Sequence, residues 1–153
     1  MFPYSLLPYS LLPYILILRP GICLGILILV VLSTYIASPQ EFLWVPALLG
    51  GIGVALAAGA GTVVNDTFDW RRDKINNPRR MIPDRLLTPE DARTYYIALT
   101  AISLLLLWFV NMTAFLVGVA CWASLFFYSW KLREINGLLS NAVVAMNVGL
   151  ALS

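Results

Sequence analysis

Residues 42–73 read FLWVPALLGGIGVALAAGAGTVVNDTFDWRRD, and this stretch joins an uncharged apolar segment to a cluster of charges. Residues 42–64 contain no charged side chain, and an apolar run of about 20 residues is long enough to cross a bilayer as an α-helix. Asp66, Asp69 and Asp73 follow directly after it. The stretch therefore predicts a transmembrane helix that ends at a polar surface, in a membrane protein of the all-α class.

The composition of the whole chain agrees with this prediction. Of the 153 residues, 60% are hydrophobic and 12% are charged, whereas soluble domains carry about 25% charged residues. The chain has no histidine, which excludes a Ser-His-Asp triad, haem ligation through histidine and imidazole metal sites. The net charge of +2 also argues against a polybasic nucleic-acid-binding protein, and we expect no nucleic acid partner.

Apolar runs divide the chain into a predicted bundle of helices. Residues 1–14 repeat the pattern Pro-Tyr-Ser-Leu-Leu and are predicted to be an interfacial lead-in, and residues 65–93 are predicted to be a loop. The last run ends without a closing charge or aromatic anchor, so we expect a bundle that is truncated after about five helices. The predicted spans are residues 15–37, 42–64, 95–110, 113–130 and 138–153.

Basic residues occur in alternate connections. Arg19 lies near the start of the first span, seven basic residues lie in 65–93, and Lys131 and Arg133 follow the fourth span. The two remaining connections contain neither Lys nor Arg. Because basic residues in short loops stay on the cytoplasmic side, we predict a multi-pass protein of the cell membrane whose N-terminus and loop 65–93 are cytoplasmic.

The loop concentrates the charge of the chain, with 13 of the 18 charged residues between Asp66 and Arg93. If the helix of the second span continues, Asp66, Asp69 and Asp73 lie within roughly 60° of one another, since each residue turns a helix by about 100°. Carboxylates at this spacing repel one another, and the C-terminal end of a helix is unfavourable for anions. The pattern therefore predicts a positively charged partner.

Two kinds of partner fit these carboxylates. One is internal neutralisation by nearby basic side chains, which would make the cluster structural. The other is Mg²⁺, which commonly binds one or two carboxylates together with substrate phosphates, while arginines supply forked donors for phosphate oxygens. The second partner would indicate a site for a lipid with a diphosphate head group. The basic candidates are Arg71, Arg72, Lys74, Arg79 and Arg80.

The run from Asn65 to Pro83 resembles the first aspartate-rich signature of the UbiA superfamily of intramembrane prenyltransferases. That signature reads Asn-Asp-x-x-Asp-x-x-x-Asp, followed by Asn-x-Pro-x-Arg-x-Ile-Pro. Arg19-Pro20 is similar to the family's opening Arg-Pro, and Tyr128 to Arg133 is similar to its Tyr-x-x-Lys-Leu-Lys stretch. The resemblance covers the chain from about residue 15. The matching positions of the signature are Asn65, Asp66, Asp69, Asp73, Asn76 or Asn77, Pro78, Arg80, Ile82 and Pro83.

The resemblance implies a Mg²⁺-dependent membrane prenyltransferase. It implies transfer of an isoprenyl group from a polyprenyl diphosphate to a hydrophobic acceptor, either a quinone precursor or an archaeal-type glycerol-phosphate lipid. Asp66, Asp69 and Asp73 are then the catalytic residues and Mg²⁺ ligands. The implied diphosphate-binding residues are Asn65, which also orients the ligands, Arg72, Arg80 and Lys131.

The chain departs from the family pattern in two places. Residues 81–85 read Met-Ile-Pro-Asp-Arg, where the family often has Pro-Ile-Pro-Ser-Gly. No second aspartate-rich motif follows, so residues 15–153 are predicted to be a partial prenyltransferase domain that has little activity alone. A continuation of the chain or a second polypeptide would supply the remaining helices.

The alternative function is a non-catalytic membrane scaffold or partner subunit in which the charge cluster is structural. A cation transporter is disfavoured, because coupling-ion sites lie near the middle of the bilayer and these carboxylates lie at its surface. Downstream, Thr88-Pro89-Glu90-Asp91 is typical of a helix N-terminus, so we predict that the third span begins as a water-exposed helix near residue 89.

Overall fold

The computed structural model describes residues 11–130 of the chain, and side chains for residues 11–127. Within these residues the regular structure is entirely helical, which confirms the predicted all-α class. The predicted fifth span and residues 1–10 lie outside the described part. The helices are α1 (Leu12–Ile17), α2 (Pro20–Ala37), α3 (Trp44–Asn76), α4 (Pro89–Val110) and α5 (Met112–Trp130).

The first predicted span is divided into α1 and α2 at Arg19. Pro20 is the first residue of α2, where the missing N–H of proline costs no hydrogen bond. Proline also disfavours the helical conformation in the residue before it, and Arg19 adopts the left-handed region, with φ 55° and ψ 68°. The Thr62 hydroxyl lies 3.0 Å from the carbonyl oxygen of Ile17, which ties the end of α1 to α3.

The central helix, α3, extends well beyond the predicted span. Its 33 residues make a helix about 50 Å long at 1.5 Å per residue, whereas the hydrocarbon core of a bilayer is about 30 Å thick. Residues 65–76 therefore form a polar extension of a helix whose first part is apolar. The common face predicted for Asp66, Asp69 and Asp73 required the helix of the second span to continue, and the structure confirms that it does.

Small residues on α3 let the other helices approach it closely. A side-chain carbon at Gly53 would lie 3.0 Å from Leu107 of α4, and one at Gly61 would lie 3.4 Å from Leu125 of α5. The buried Ser103 hydroxyl donates a 2.8 Å hydrogen bond to the Gly53 carbonyl. The small-residue pattern along α3 thus serves helix packing.

Helix α4 begins at Pro89, as its sequence predicts. The Thr88 hydroxyl accepts a hydrogen bond of 3.0 Å from the backbone N–H of Asp91, which caps the helix. At the other end α4 and α5 are joined at Asn111, whose side-chain oxygen accepts a 2.7 Å bond from the N–H of Ala114. Helices α2, α3 and α4 are each long and apolar enough to cross a membrane.

Candidate functional site

The predicted aspartates lie together on the buried face of the α3 extension. Asp66, Asp69 and Asp73 are 7%, 9% and 5% exposed, although each carries a carboxyl group. The opposite face, which includes Phe68, Arg71 and Ile75, is exposed. The same side of α3 therefore presents apolar packing residues in the membrane-spanning part and carboxylates beyond the end of that part.

The loop after α3 folds back so that Arg80 reaches two of these carboxylates. Arg80 Nη1 donates to Asp66 Oδ1 at 2.9 Å and to Asp73 Oδ2 at 2.7 Å. Ile82 and Leu87 anchor the loop, because they are 5% and 4% exposed and belong to the hydrophobic core. Burial of two apolar side chains therefore determines where the guanidinium lies.

A second arginine reaches the same carboxylate from the other side. Arg19 Nη2 donates to Asp66 Oδ1 at 3.2 Å. The contact follows from the break between α1 and α2, because the left-handed backbone at Arg19 comes directly after the segment that Thr62 ties to α3. Sequence reasoning did not place Arg19 among the site residues, although the Arg-Pro pair before the first span was the signal for it.

Among residues 11–127, the other basic candidates form no ion pair with Asp66 or Asp73. Arg71 and Lys74 lie over the Trp70 ring, 5.5 and 5.1 Å from its centre. Arg72 and Arg79 are exposed and form no ion pair with a residue in 11–127. Within residues 11–127, Arg80 forms ion pairs with Asp66 and Asp73, and Arg19 from outside the loop forms one with Asp66.

Burial affects the acidity of Asp66, which lies past the apolar part of α3. Removal from water raises the pKa of its carboxyl group, the charges of Arg80 and Arg19 lower it, and the neighbouring carboxylates of Asp73 and Asp69 raise it again. The balance leaves the pKa above its ordinary value. Two guanidinium groups thus offset the desolvation of this carboxylate only in part.

Not every predicted site residue can be placed in this cluster. Asn65 is half-buried on α3 next to Asp66, and Arg72 is exposed and forms no ion pair with residues 11–127. Lys131 lies outside the described residues, as do the side chains from residue 128 onward. The structure therefore brings together Asp66, Asp69, Asp73 and Arg80 and adds Arg19 to them.

The donor atoms of the cluster suit a hard cation, since Mg²⁺ prefers carboxylate oxygens and all three aspartates share one face. The three carboxylates are not arranged as a complete set of metal ligands. Among residues 11–127, no three acidic, cysteine or histidine side chains are grouped closely enough to hold one ion. Arg80 Nη1 lies between Asp66 and Asp73, so these carboxylates face a guanidinium group.

Within the bilayer, α3, α4 and α5 enclose a small cavity just below the cluster. Its volume is ≈ 20 Å³, and its lining is largely apolar, including Val64 and Phe126. The hydroxyl groups of Tyr96 and Thr100 are buried in its lining, next to Trp122. An apolar pocket therefore adjoins the charged cluster.

The sequence of residues 26–152 matches the family model described as the UbiA prenyltransferase family. The chain belongs to this family. The match covers most of the chain, and it agrees with the aspartate signature on α3 and with the helical fold. Since this is a family of membrane proteins and three described helices can cross a bilayer, the chain is a multi-pass integral membrane protein.

Similar proteins include three curated archaeal enzymes named digeranylgeranylglyceryl phosphate synthase. The enzyme of Thermococcus kodakarensis is 35% identical over 133 residues, which cover 87% of this chain and 48% of that enzyme. The Sulfurisphaera tokodaii enzyme is 30% identical over 128 residues, 84% of this chain and 46% of the enzyme. The Methanothermobacter thermautotrophicus enzyme is 34% identical over 135 residues, 88% of this chain and 47% of the enzyme.

A solved structure shows the same arrangement of helices. It is described as "Structural and mechanistic insights into the biosynthesis of Digeranylgeranylglyceryl phosphate synthase in membranes", and it superposes with a TM-score of 0.88 at 25% sequence identity. The match covers 95% of this chain and 52% of that one. The chain spans about half the length of the curated relatives it matches.

Proposed function

We propose that the chain forms the part of a membrane prenyltransferase that carries the first aspartate-rich motif. The enzyme would transfer an isoprenyl group from an isoprenoid diphosphate to a hydrophobic acceptor. One observation carries the proposal: three buried carboxylates and two arginines converge at the polar end of a membrane-spanning helix, in a chain of the UbiA family. Such a cluster suits an amphiphilic substrate with a diphosphate head and an apolar tail.

The proposed acceptor is a glycerol-phosphate lipid of the archaeal type. The relatives from three archaea support this choice, because all are named for the synthesis of digeranylgeranylglyceryl phosphate. The motif loop and the N-terminus are proposed to face the cytoplasm, as the distribution of Lys and Arg predicts. The relatives are about twice as long as this chain, and the helices of their remaining half would come from a continuation of the chain or from a second polypeptide.

In this proposal the charged groups prepare the diphosphate to leave. Asp66, Asp69 and Asp73 would hold Mg²⁺, which when bound supplies positive charge to the leaving diphosphate. Arg80 and Arg19 would bind diphosphate oxygens with their forked N–H groups. Arg72, Asn65 and Lys131 keep their predicted roles in diphosphate binding. The apolar side chains of the adjoining cavity would keep water away from the reacting end of the isoprenyl chain.

The proposal is tested by replacing one carboxylate and comparing it with a matched control. Asp66→Asn removes a buried charge of the cluster, whereas Asp84→Asn removes an exposed charge of the same loop. We expect Asp66→Asn to reduce transfer by at least about 100-fold and Asp84→Asn to leave transfer near the wild-type rate. The assay follows labelled isoprenoid diphosphate into lipid, in membranes of the source organism that carry each variant.

The ion pairs within the cluster also favour a second candidate, the non-catalytic scaffold. Arg80 joins Asp66 to Asp73 as a structural bridge would. If Asp66→Asn and Asp69→Asn retain transfer while the protein no longer accumulates in membranes, the cluster is structural and the scaffold is favoured. Lost transfer by a variant that still accumulates at the wild-type level favours the enzyme.

A further inference from the structure

One nitrogen atom of Arg80 donates hydrogen bonds to two carboxylates. Nη1 carries two hydrogen atoms, and it lies 2.9 Å from Asp66 Oδ1 and 2.7 Å from Asp73 Oδ2. The two aspartates are seven residues apart on α3, so they face each other across the guanidinium group. A single positive charge is thus shared by two carboxylates, in the space between them.

A divalent cation and Arg80 compete for the same oxygen atoms. An ion that bound Asp66 Oδ1 and Asp73 Oδ2 together would need the position that Nη1 takes, and its charge would repel the guanidinium group. The carboxylate side chains are 9% and 8% exposed, so they have little water with which to replace a lost partner. The side chains of Arg19 and Arg80 are 40% and 31% exposed, so both arginines have room to turn toward solvent. Of the two, Arg80 is the one that contacts both Asp66 and Asp73.

A diphosphate offers Arg80 another partner. Guanidinium groups bind phosphate oxygens with paired, charge-assisted hydrogen bonds, and Arg80 is partly exposed near Asn76 and Asn77 at the end of α3. Those residues line a shallow surface depression together with Pro78, Arg79 and Arg80 itself. A phosphate group in this depression would draw the guanidinium group away from the carboxylates at little cost in charge pairing.

We propose that Arg80 is an internal counter-ion of Asp66 and Asp73 that diphosphate displaces, so that a divalent cation binds together with the diphosphate and not before it. The inference rests on the proposed function, since it concerns the same carboxylates and the same head group. It adds an order of binding: the arginine moves from carboxylate to phosphate, and the two carboxylates then become ligands. Arg80 is a positioning residue in this step.

The test measures binding of Mn²⁺, a spectroscopic substitute for Mg²⁺, to the full chain in detergent by electron paramagnetic resonance. Arg80→Gln removes the internal counter-ion and keeps a polar, though shorter, side chain. We expect this variant to bind Mn²⁺ alone at least about tenfold more tightly than the wild type, a difference of about 1.4 kcal/mol. Inorganic diphosphate should strengthen Mn²⁺ binding strongly in the wild type and much less in Arg80→Gln.

Arg85→Gln is the matched control, because Arg85 lies in the same loop but does not line the depression, is exposed, and forms no ion pair with residues 11–127. Its Mn²⁺ affinity should stay within about twofold of the wild type, since exposed charges interact weakly through water. Equal strengthening by both substitutions would overturn the inference, because it would show a general effect of positive charge. Arg80→Lys, which keeps the charge, covers the case in which Arg80→Gln does not fold, and it should bind Mn²⁺ no more than about twofold more tightly than the wild type.

The outcomes separate this inference from the proposed function, because Mn²⁺ binding requires no turnover. Unchanged or weaker Mn²⁺ binding by folded Arg80→Gln, with tight binding by the wild type alone, overturns the inference and leaves the metal site in place. Absence of Mn²⁺ binding in every variant, with and without diphosphate, overturns both. Prenyl transfer that persists while Arg80→Gln behaves as the wild type overturns the inference only.

Discussion

Residues 44–64 and residues 65–76 belong to one helix, α3, yet different interactions hold them in place. The first part packs through small residues against apolar side chains of α2, α4 and α5. The second part is held by ion pairs from Arg19 and Arg80 to buried aspartates. The backbone is helical in both parts, so the difference lies in the side chains and in the solvent that surrounds them.

The comparison shows how a membrane-spanning helix can carry a site. In the apolar part, close approach of helices is favoured by van der Waals contact and needs no charge. In the polar part, buried carboxylates are stable only with partners, and these come from the loop after α3 and, 47 residues away from Asp66, from Arg19. The first part supplies rigidity, and the second depends on it for the placement of its arginines.

The largest effect should come from disturbing the contact that connects the two parts. A side-chain carbon at Gly59 would lie 2.8 Å from Leu18 and 3.3 Å from the Cys23 sulfur, next to the break that positions Arg19. We expect Gly59→Val to lower the Tm of the chain in detergent by about 5 °C, as overpacking costs about 1–3 kcal/mol. At Gly25, where nothing lies within 4 Å, the same substitution should change the Tm by less than about 1 °C.

A smaller loss should follow from uncapping α4, which closes the loop of the polar part. Thr88→Ala removes the acceptor for the Asp91 N–H, and loss of an N-cap costs about 1 kcal/mol, or about 2–4 °C in Tm. Thermal unfolding followed by circular dichroism measures this shift. Thr94→Ala, which removes an exposed hydroxyl bonded to the Glu90 carbonyl, should have almost no effect; an equal loss would show that capping is not the cause.

The smallest effect should be a gain in stability at Arg85. This residue has a φ of 61°, a conformation that glycine adopts readily and other residues adopt at a cost of about 1–2 kcal/mol. Arg85→Gly should therefore raise the Tm by about 1–2 °C, after the greater freedom of glycine in the unfolded chain is subtracted. Arg79→Gly, at a residue without positive φ, should lower the Tm, and a rise in both variants would contradict the explanation.

Local patterns predicted much of this arrangement. The first four predicted apolar runs lie within or overlap the described helices, although α3 continues to Asn76, well past its predicted span of 42–64. Thr88 and Pro89 predicted the start of α4, and the spacing of Asp66, Asp69 and Asp73 predicted their common face. These features depend on interactions between residues that are close in sequence. The departure from the family pattern at residues 81–85 also has a local outcome, since Arg85 adopts positive φ where the family often has glycine.

The break between α1 and α2 and the ion pairs of the aspartates could not be predicted from local sequence patterns. The division of the first span at Arg19 was missed because the apolar composition continues across it. The choice of Arg80 over its basic neighbours depends on the buried side chains of Ile82 and Leu87, which direct the loop back toward α3. The contact between Arg19 and Asp66 joins positions 47 residues apart, and spacing along the chain carries no information about it.

The sequence by itself determined a membrane-spanning all-α protein, its aspartate face and its family resemblance. These properties follow from composition and from the period of a helix, and each is set within a short stretch of chain. Only the tertiary structure decided which cations neutralise the buried carboxylates. Ion pairing at a buried site depends on which distant groups the packing of the helices brings within about 3 Å, and the packing of the whole bundle sets that distance.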